Sequence, residues 1–120
     1  MKATYYQRGE TLDYTATKKL EAGDVVSLGS RIGVAAEPVS TGQVGHVHVV
    51  GVFAMTKANT EEIKLGTAVY YDADTDKITT TASKEEGEGA SKTTVNNTPA
   101  GYAAADAATT ATSVLVKLLG

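Results

Sequence analysis

The stretch Glu10 to Ala16, ETLDYTA, sets Leu12, Tyr14 and Ala16 against Thr11, Asp13 and Thr15, and this period of two returns along most of the chain. Alternation of this kind belongs to strands with one buried face and leaves little room for helices. In GDVVSLGSRIGVAA two short apolar runs flank Gly29-Ser30, which predicts a tight hairpin because glycine reaches positive φ without steric cost. The long run HVHVVGVFAMT sends Val47, Val49, Gly51, Phe53 and Met55 to one side and His46, His48, Val50, Val52 and Ala54 to the other. With both sides mostly apolar, it is expected to be the central strand. The segment TSVLVKLLG alternates Val114, Val116 and Leu118 against Leu115, Lys117 and Leu119 and predicts a closing strand.

Three segments break the pattern. ANTEEIKLG offers Asn59 as a cap, Glu62 as its capping-box partner and Gly66 as a left-handed stop, so a helix of two turns at most is expected there. In TPAGYAAADAATTATS alanine favours a helix, but Gly101 and the turn-like DAATT favour strand, turn, strand. Residues 83–97, SKEEGEGASKTTVNN, are poor in apolar side chains and predict an exposed, mobile loop. Together these readings give a single all-β domain over 1–120. It has about seven to nine short strands in a small barrel or sandwich, with at most one short helix.

Leu, Ile, Val and Phe supply only 24 of the 120 residues, whereas alanine alone supplies 18. Alanine buries little area, so at roughly 25 cal/mol per Å² a lone protomer has a thin core and gains from association with other copies. The absence of cysteine excludes disulfides, thiol nucleophiles and cysteine-based zinc sites. A net charge of −3 with dispersed Lys and Arg disfavours a nucleic-acid footprint. No apolar run reaches the roughly 18 residues of a membrane span, and MKATYYQRGE has no apolar signal core, so synthesis in the cytoplasm and no membrane partner are expected.

Motifs for chemistry are few. YYDADTDKIT places Asp72, Asp74 and Asp76 at alternate positions, as a calcium loop of the EF-hand kind begins. The glycine such a loop needs sixth and the glutamate it needs twelfth are replaced by Lys77 and Ser83, so a plain hairpin loop is expected. His46 and His48 share one strand face, but no acidic residue is placed by sequence to complete a zinc site. No hydrolase motif is present, and no glycine is followed by lysine, which excludes a phosphate-binding P-loop. Catalytic, cofactor and metal sites are therefore not expected. Tyr5 and Tyr6 are adjacent, and in a strand they point to opposite faces, so at least one is offered to a partner. Tyr70 and Tyr71 invite the same reasoning.

The order of YYQRGETLDYTA, AGDVVSLGSRIGVA, VGVFAMTKANTEEIKLGTAVYYDADTDKITTT and AGYAAADAATTATSVLVKLLG resembles the DUF2190 family of tailed-phage capsid cement, or decoration, proteins. The resemblance covers nearly the whole chain and is most specific from the GVF strand to the threonine-rich strand. At Tyr70-Tyr71 the family usually carries Tyr and Trp. The resemblance implies a β-barrel or β-tulip forming a homotrimer on the outer surface of the virion, with the major capsid protein as partner and no catalysis. On that basis the N-terminal segment 1–8, with Tyr5, Tyr6, Gln7 and Arg8, is the candidate contact with capsid or neighbouring protomer. A tail or host-surface carbohydrate binder and a DNA-processing accessory protein are the alternatives.

Overall fold

The computed structural model describes residues 1–119. It contains eleven strands: β1 (Thr11–Thr15), β2 (Val25–Ser27), β3 (Ile32–Ala35), β4 (Val44–His48), β5 (Val52–Thr56), β6 (Ala68–Asp72), β7 (Lys77–Thr79), β8 (Ser83–Glu86), β9 (Thr93–Asn96), β10 (Thr98–Ala103) and β11 (Ser113–Leu118). One sheet has the order β1-β4-β3-β2, a second β5-β11-β10-β6-β7, and β8-β9 form a separate ribbon. The class is all-β, as the period of two demands, and the arrangement is sandwich-like rather than a closed barrel. A single parallel bridge, Lys57 to Ile78, links the two ends of the five-stranded sheet without completing it.

The sandwich core lies between the sheets. Ile32 and Val34 from the first meet Met55, Val69, Tyr71, Ile78, Val114, Val116 and Leu118 from the second. A hydroxyl pair, Ser27 Oγ and Thr98 Oγ1 at 2.8 Å, ties the layers together. The first sheet buries its other face too, placing Ala35 and Val47 against Ala16, Leu20 and Val39 from the segments around it. Dividing few bulky side chains between two small clusters leaves neither large.

The Gly29-Ser30 hairpin forms as expected, with Ser27 paired to Ile32 and Gly29 at φ 96°. The segment from Thr98 to Leu118 is strand, turn, strand, with β10 antiparallel to β11. Tyr14 and Leu12 fit less well: β1 is an edge strand, so Tyr14 is only partly buried and Leu12 stays exposed.

Four expectations need correction. HVHVVGVFAMT is two strands in different sheets, β4 and β5, because the backbone turns at Gly51 with φ 115°. Its two apolar faces therefore serve two layers rather than one central strand. There are eleven strands rather than seven to nine, partly because the 83–97 loop is the ribbon β8-β9 around a single 3-10 turn at Gly89–Ser91. It is exposed, as expected, but regular. No helix forms in ANTEEIKLG: Ile63 instead bridges to Ala107, and the side chain held by bonds is Glu61 rather than Glu62. Its carboxylate accepts Thr79 Oγ1 at 2.8 Å, Thr80 N at 2.9 Å and Thr80 Oγ1 at 2.6 Å, which fastens the connector to β7. Burial works against that charge, yet these bonds outweigh it and hold the Glu61 carboxyl below its usual range.

Lys57, just past β5, is only 2% exposed. Its ammonium donates to the carbonyls of Ala58 at 2.6 Å, Thr109 at 3.2 Å and Ala111 at 3.1 Å, which uses all three of its hydrogens and secures the β10–β11 connection. Lys57→Met keeps the apolar stem but strands three acceptors. It is expected to cost about 3 kcal/mol and lower Tm by roughly 10 °C in a circular dichroism melt. An unchanged Tm would show that water takes the place of the ammonium.

Candidate interaction surfaces

The residues before β1 join no strand. Tyr5 and Tyr6 are 83% and 89% exposed, and Gln7 and Arg8 are exposed as well. The opposite-faces reasoning assumed a strand at this point; without a sheet partner both rings face solvent. At Tyr70 and Tyr71 it holds, since β6 turns Tyr71 inward and leaves Tyr70 half-buried outside. The segment is an arm, turned at Gly9 with φ 80°, with Arg8 Nε 3.7 Å from Glu10 Oε1. Its root is fixed where Val49 N donates to the Glu10 carbonyl at 3.0 Å. The radius of gyration is 15.8 Å, against about 13.6 Å for a compact chain of this length. A projecting arm and ribbon account for such an excess.

The aspartate turn holds a cation, but the cation is a side chain. Lys84 Nζ lies 2.9 Å from Asp72 Oδ1, 3.0 Å from Asp72 Oδ2 and 2.9 Å from Asp74 Oδ2. Asp72 Oδ1 also accepts the Asp74 and Thr75 amides, as a turn aspartate does. Asp76 accepts the Tyr71 hydroxyl at 2.6 Å, and burial followed by this bond raises the Tyr71 pKa, keeping the phenol protonated. The turn is thus a docking point for the ribbon, whose β8 supplies Lys84.

Burial pushes the Asp72 carboxyl up, but the Lys84 bond and the turn amides prevail and lower it; Lys84 lowers Asp74 likewise. A carboxylate lowered by folding stabilises above its unfolded value, here 3.8, and loses that contribution as pH falls further. Lys84→Ala is expected to speed amide exchange across β8 and β9 by tenfold or more at neutral pH, leaving the sandwich amides unchanged. Wild-type ribbon exchange, corrected for intrinsic rates, should approach that of the variant below about pH 4. Equal protection in both proteins at pH 7 would contradict the anchor.

His46 is exposed, with Nδ1 2.9 Å from Glu37 Oε1 and Nε2 3.4 Å from Asp13 Oδ1. Folding thus places two carboxylates beside it that spacing in the sequence did not reveal. The Glu37 carboxyl is lowered, chiefly by its bond to His46. His48 turns instead toward Phe53, with ring centroids 5.7 Å apart, so the two imidazoles do not share a site. Among the described residues no cluster of three metal-ligating side chains occurs. A cleft of about 420 Å³ between the sheets is lined in part by Lys18, Asp24, Thr56, Tyr71, Asp76 and Lys77. It carries no histidine or serine, and its buried hydroxyl, that of Tyr71, is satisfied by the exposed Asp76.

A larger feature lies on the outside of the five-stranded sheet. The register aligns Val52, Lys117, Tyr102 and Ala68 across β5, β11, β10 and β6, and places Ala54 opposite Leu115 beside them. Val52, Tyr102 and Leu115 are 50%, 45% and 43% exposed. The one cation, Lys117, bends back to donate to the Leu118 carbonyl at 3.2 Å. Sequence reasoning missed this face, although its signal was present: VGVFAMT and SVLVKLL are apolar on both sides of the strand, more than one core requires.

A family model described as phage cement protein matches residues 6–118. No curated protein and no solved structure gives a match. The chain belongs to the phage cement protein family, a structural family associated with the phage capsid.

Proposed function

We propose that this phage cement protein binds the outer surface of a tailed-phage capsid as a homotrimer, contacts the major capsid protein and stabilises the shell. The observation that carries the proposal is the family match over 6–118, which reaches from the arm to the last strand. Two features support it. The thin, divided core leaves stability to be gained by association, and the exposed tyrosines and the apolar sheet face offer places for it. The mechanism is linkage. A protein that binds only the assembled shell stabilises it by about 2.7 kcal/mol per site at a free concentration 100 times Kd, repeated over every site.

Nucleic acid is not a partner in this reading: the net charge is −3, and the cations near the arm, Lys2 and Arg8, are too few for a phosphate track. Among the described residues no helix is long and apolar enough to cross a membrane. Synthesis in the host cytoplasm is followed by attachment to the virion exterior. The test is a thermal melt of capsids with and without saturating protein. The melting temperature should rise with protein concentration and then plateau at full occupancy. Capsids that bind the protein and melt unchanged would remove the stabilising role.

A further inference from the structure

Resting on the homotrimer reading above, we propose that copies of this chain join through the outer face of the five-stranded sheet, where Tyr5 and Tyr6 of one protomer cover the face of its neighbour. Across β5, β11 and β10 the face is apolar, with Val52, Tyr102 and Leu115 each near half exposure and Lys117 as the one charge, while Asp72 and Lys77 lie at its far edge on β6 and β7. The ribbon is charged, with Glu85, Glu86 and Lys92, and around β1 and β4 the exposed Leu12 and Val44 are single apolar side chains near Asp13 and Glu37. Permanent contacts between copies are the more apolar kind, and contacts made later with another protein are the more polar kind. This contrast assigns the sheet face to a second copy and leaves the charged surfaces to the shell or solvent.

Size then brings in the arm. Four strands about 4.8 Å apart and two residue rows deep give a patch on the order of 200 Å². A stable interface needs about 800 Å² per partner. The arm is the unpartnered segment able to supply the difference. Extended, residues 1–8 span about 26 Å, and the arm begins at the margin of the face: Glu10 is bonded to Val49, two residues before Gly51, whose carbonyl accepts Leu118 N at 2.9 Å. From there it crosses onto a neighbour packed beside it, and a ring closes when each copy gives one arm and receives one. Tyrosine suits the site, because its ring covers apolar area and its face attracts the Lys117 ammonium.

The absence of cysteine from the chain makes a disulfide trap clean. The variant Tyr5→Cys/Tyr102→Cys replaces two exposed side chains. It should oxidise to species of two and three linked chains on a non-reducing gel, both as free protein and on decorated capsids. A link within one chain, or no link in either setting, overturns the proposal. In parallel, Leu115→Lys should lower the mass from light scattering by at least twofold under conditions where wild type associates, with an unchanged circular dichroism spectrum; an unchanged mass overturns it too. If wild type decorates capsids but the cysteine variant forms no links between chains, only the inference fails. Wild-type protein that fails to bind capsids sinks the capsid reading, whatever the links show.

Discussion

Gly101→Ala should leave little or no folded protein in the soluble fraction. Gly101 has φ +143°, and a methyl group there would stand 1.8 Å from the Lys117 carbonyl oxygen and 2.9 Å from its carbon. Both contacts are backbone, so no rotamer change relieves them. The clash also falls in β10, which is held between β11 and β6, at a register shift between Pro99 and Gly101. The glycine lets β10 bulge and pass close to β11, a common use of glycine within a strand. The expected loss exceeds about 4 kcal/mol, from a total of about 5–15 kcal/mol for domains in general. Gly42→Ala is the control. It also has positive φ, at +82°, but nothing lies within 4 Å, so it should cost only about 1–2 kcal/mol. Urea melts of both variants decide the matter. A Gly101→Ala midpoint near wild type would mean that β10 and β11 do not approach this closely.

Removing residues 1–8 should abolish capsid decoration while sparing the fold. The arm joins no strand, and its tyrosines rest on no core, so its loss should shift Tm by no more than about 2 °C. Binding is a different matter. Buried interface tyrosines commonly contribute 2 kcal/mol or more each, so Tyr5→Ser or Tyr6→Ser alone should weaken occupancy by roughly 30-fold. Sedimentation of capsids with the truncated protein, followed by gel densitometry, reads the outcome. Full occupancy without the arm would remove Tyr5, Tyr6, Gln7 and Arg8 from the contact.

The fold was legible where local chemistry and tertiary structure agree. Gly29-Ser30 needed only a residue tolerant of positive φ, and Val114, Val116 and Leu118 needed only alternation. Legibility failed where the same local pattern serves two outcomes. A run apolar on both sides describes one buried strand or two strands in successive layers, and only the φ of Gly51 separates them. Asn59, Glu62 and Gly66 form a plausible helix frame, but Glu61 finds Thr79 and Thr80 on β7, a partner distant in sequence. The 83–97 segment is poor in apolar residues, yet Lys84 meets Asp72 and Asp74 and gives the ribbon a foothold. The aspartate turn itself was read correctly as a turn, although the cation it holds was not foreseen. The apolar outer face depends on the register of four strands, and no single segment reveals it.

A cement protein attaches to the outside of an assembled capsid, and that attachment can be seen directly. The most direct measurement is an electron cryomicroscopy reconstruction of expanded capsids, built from the cognate major capsid protein and mixed with excess purified chain. Added density is expected outside the shell at three-fold positions, three copies to a site, matching the sandwich with its ribbon exposed. Capsids that remain bare at saturating protein, or density confined to the tail or the interior, would contradict it.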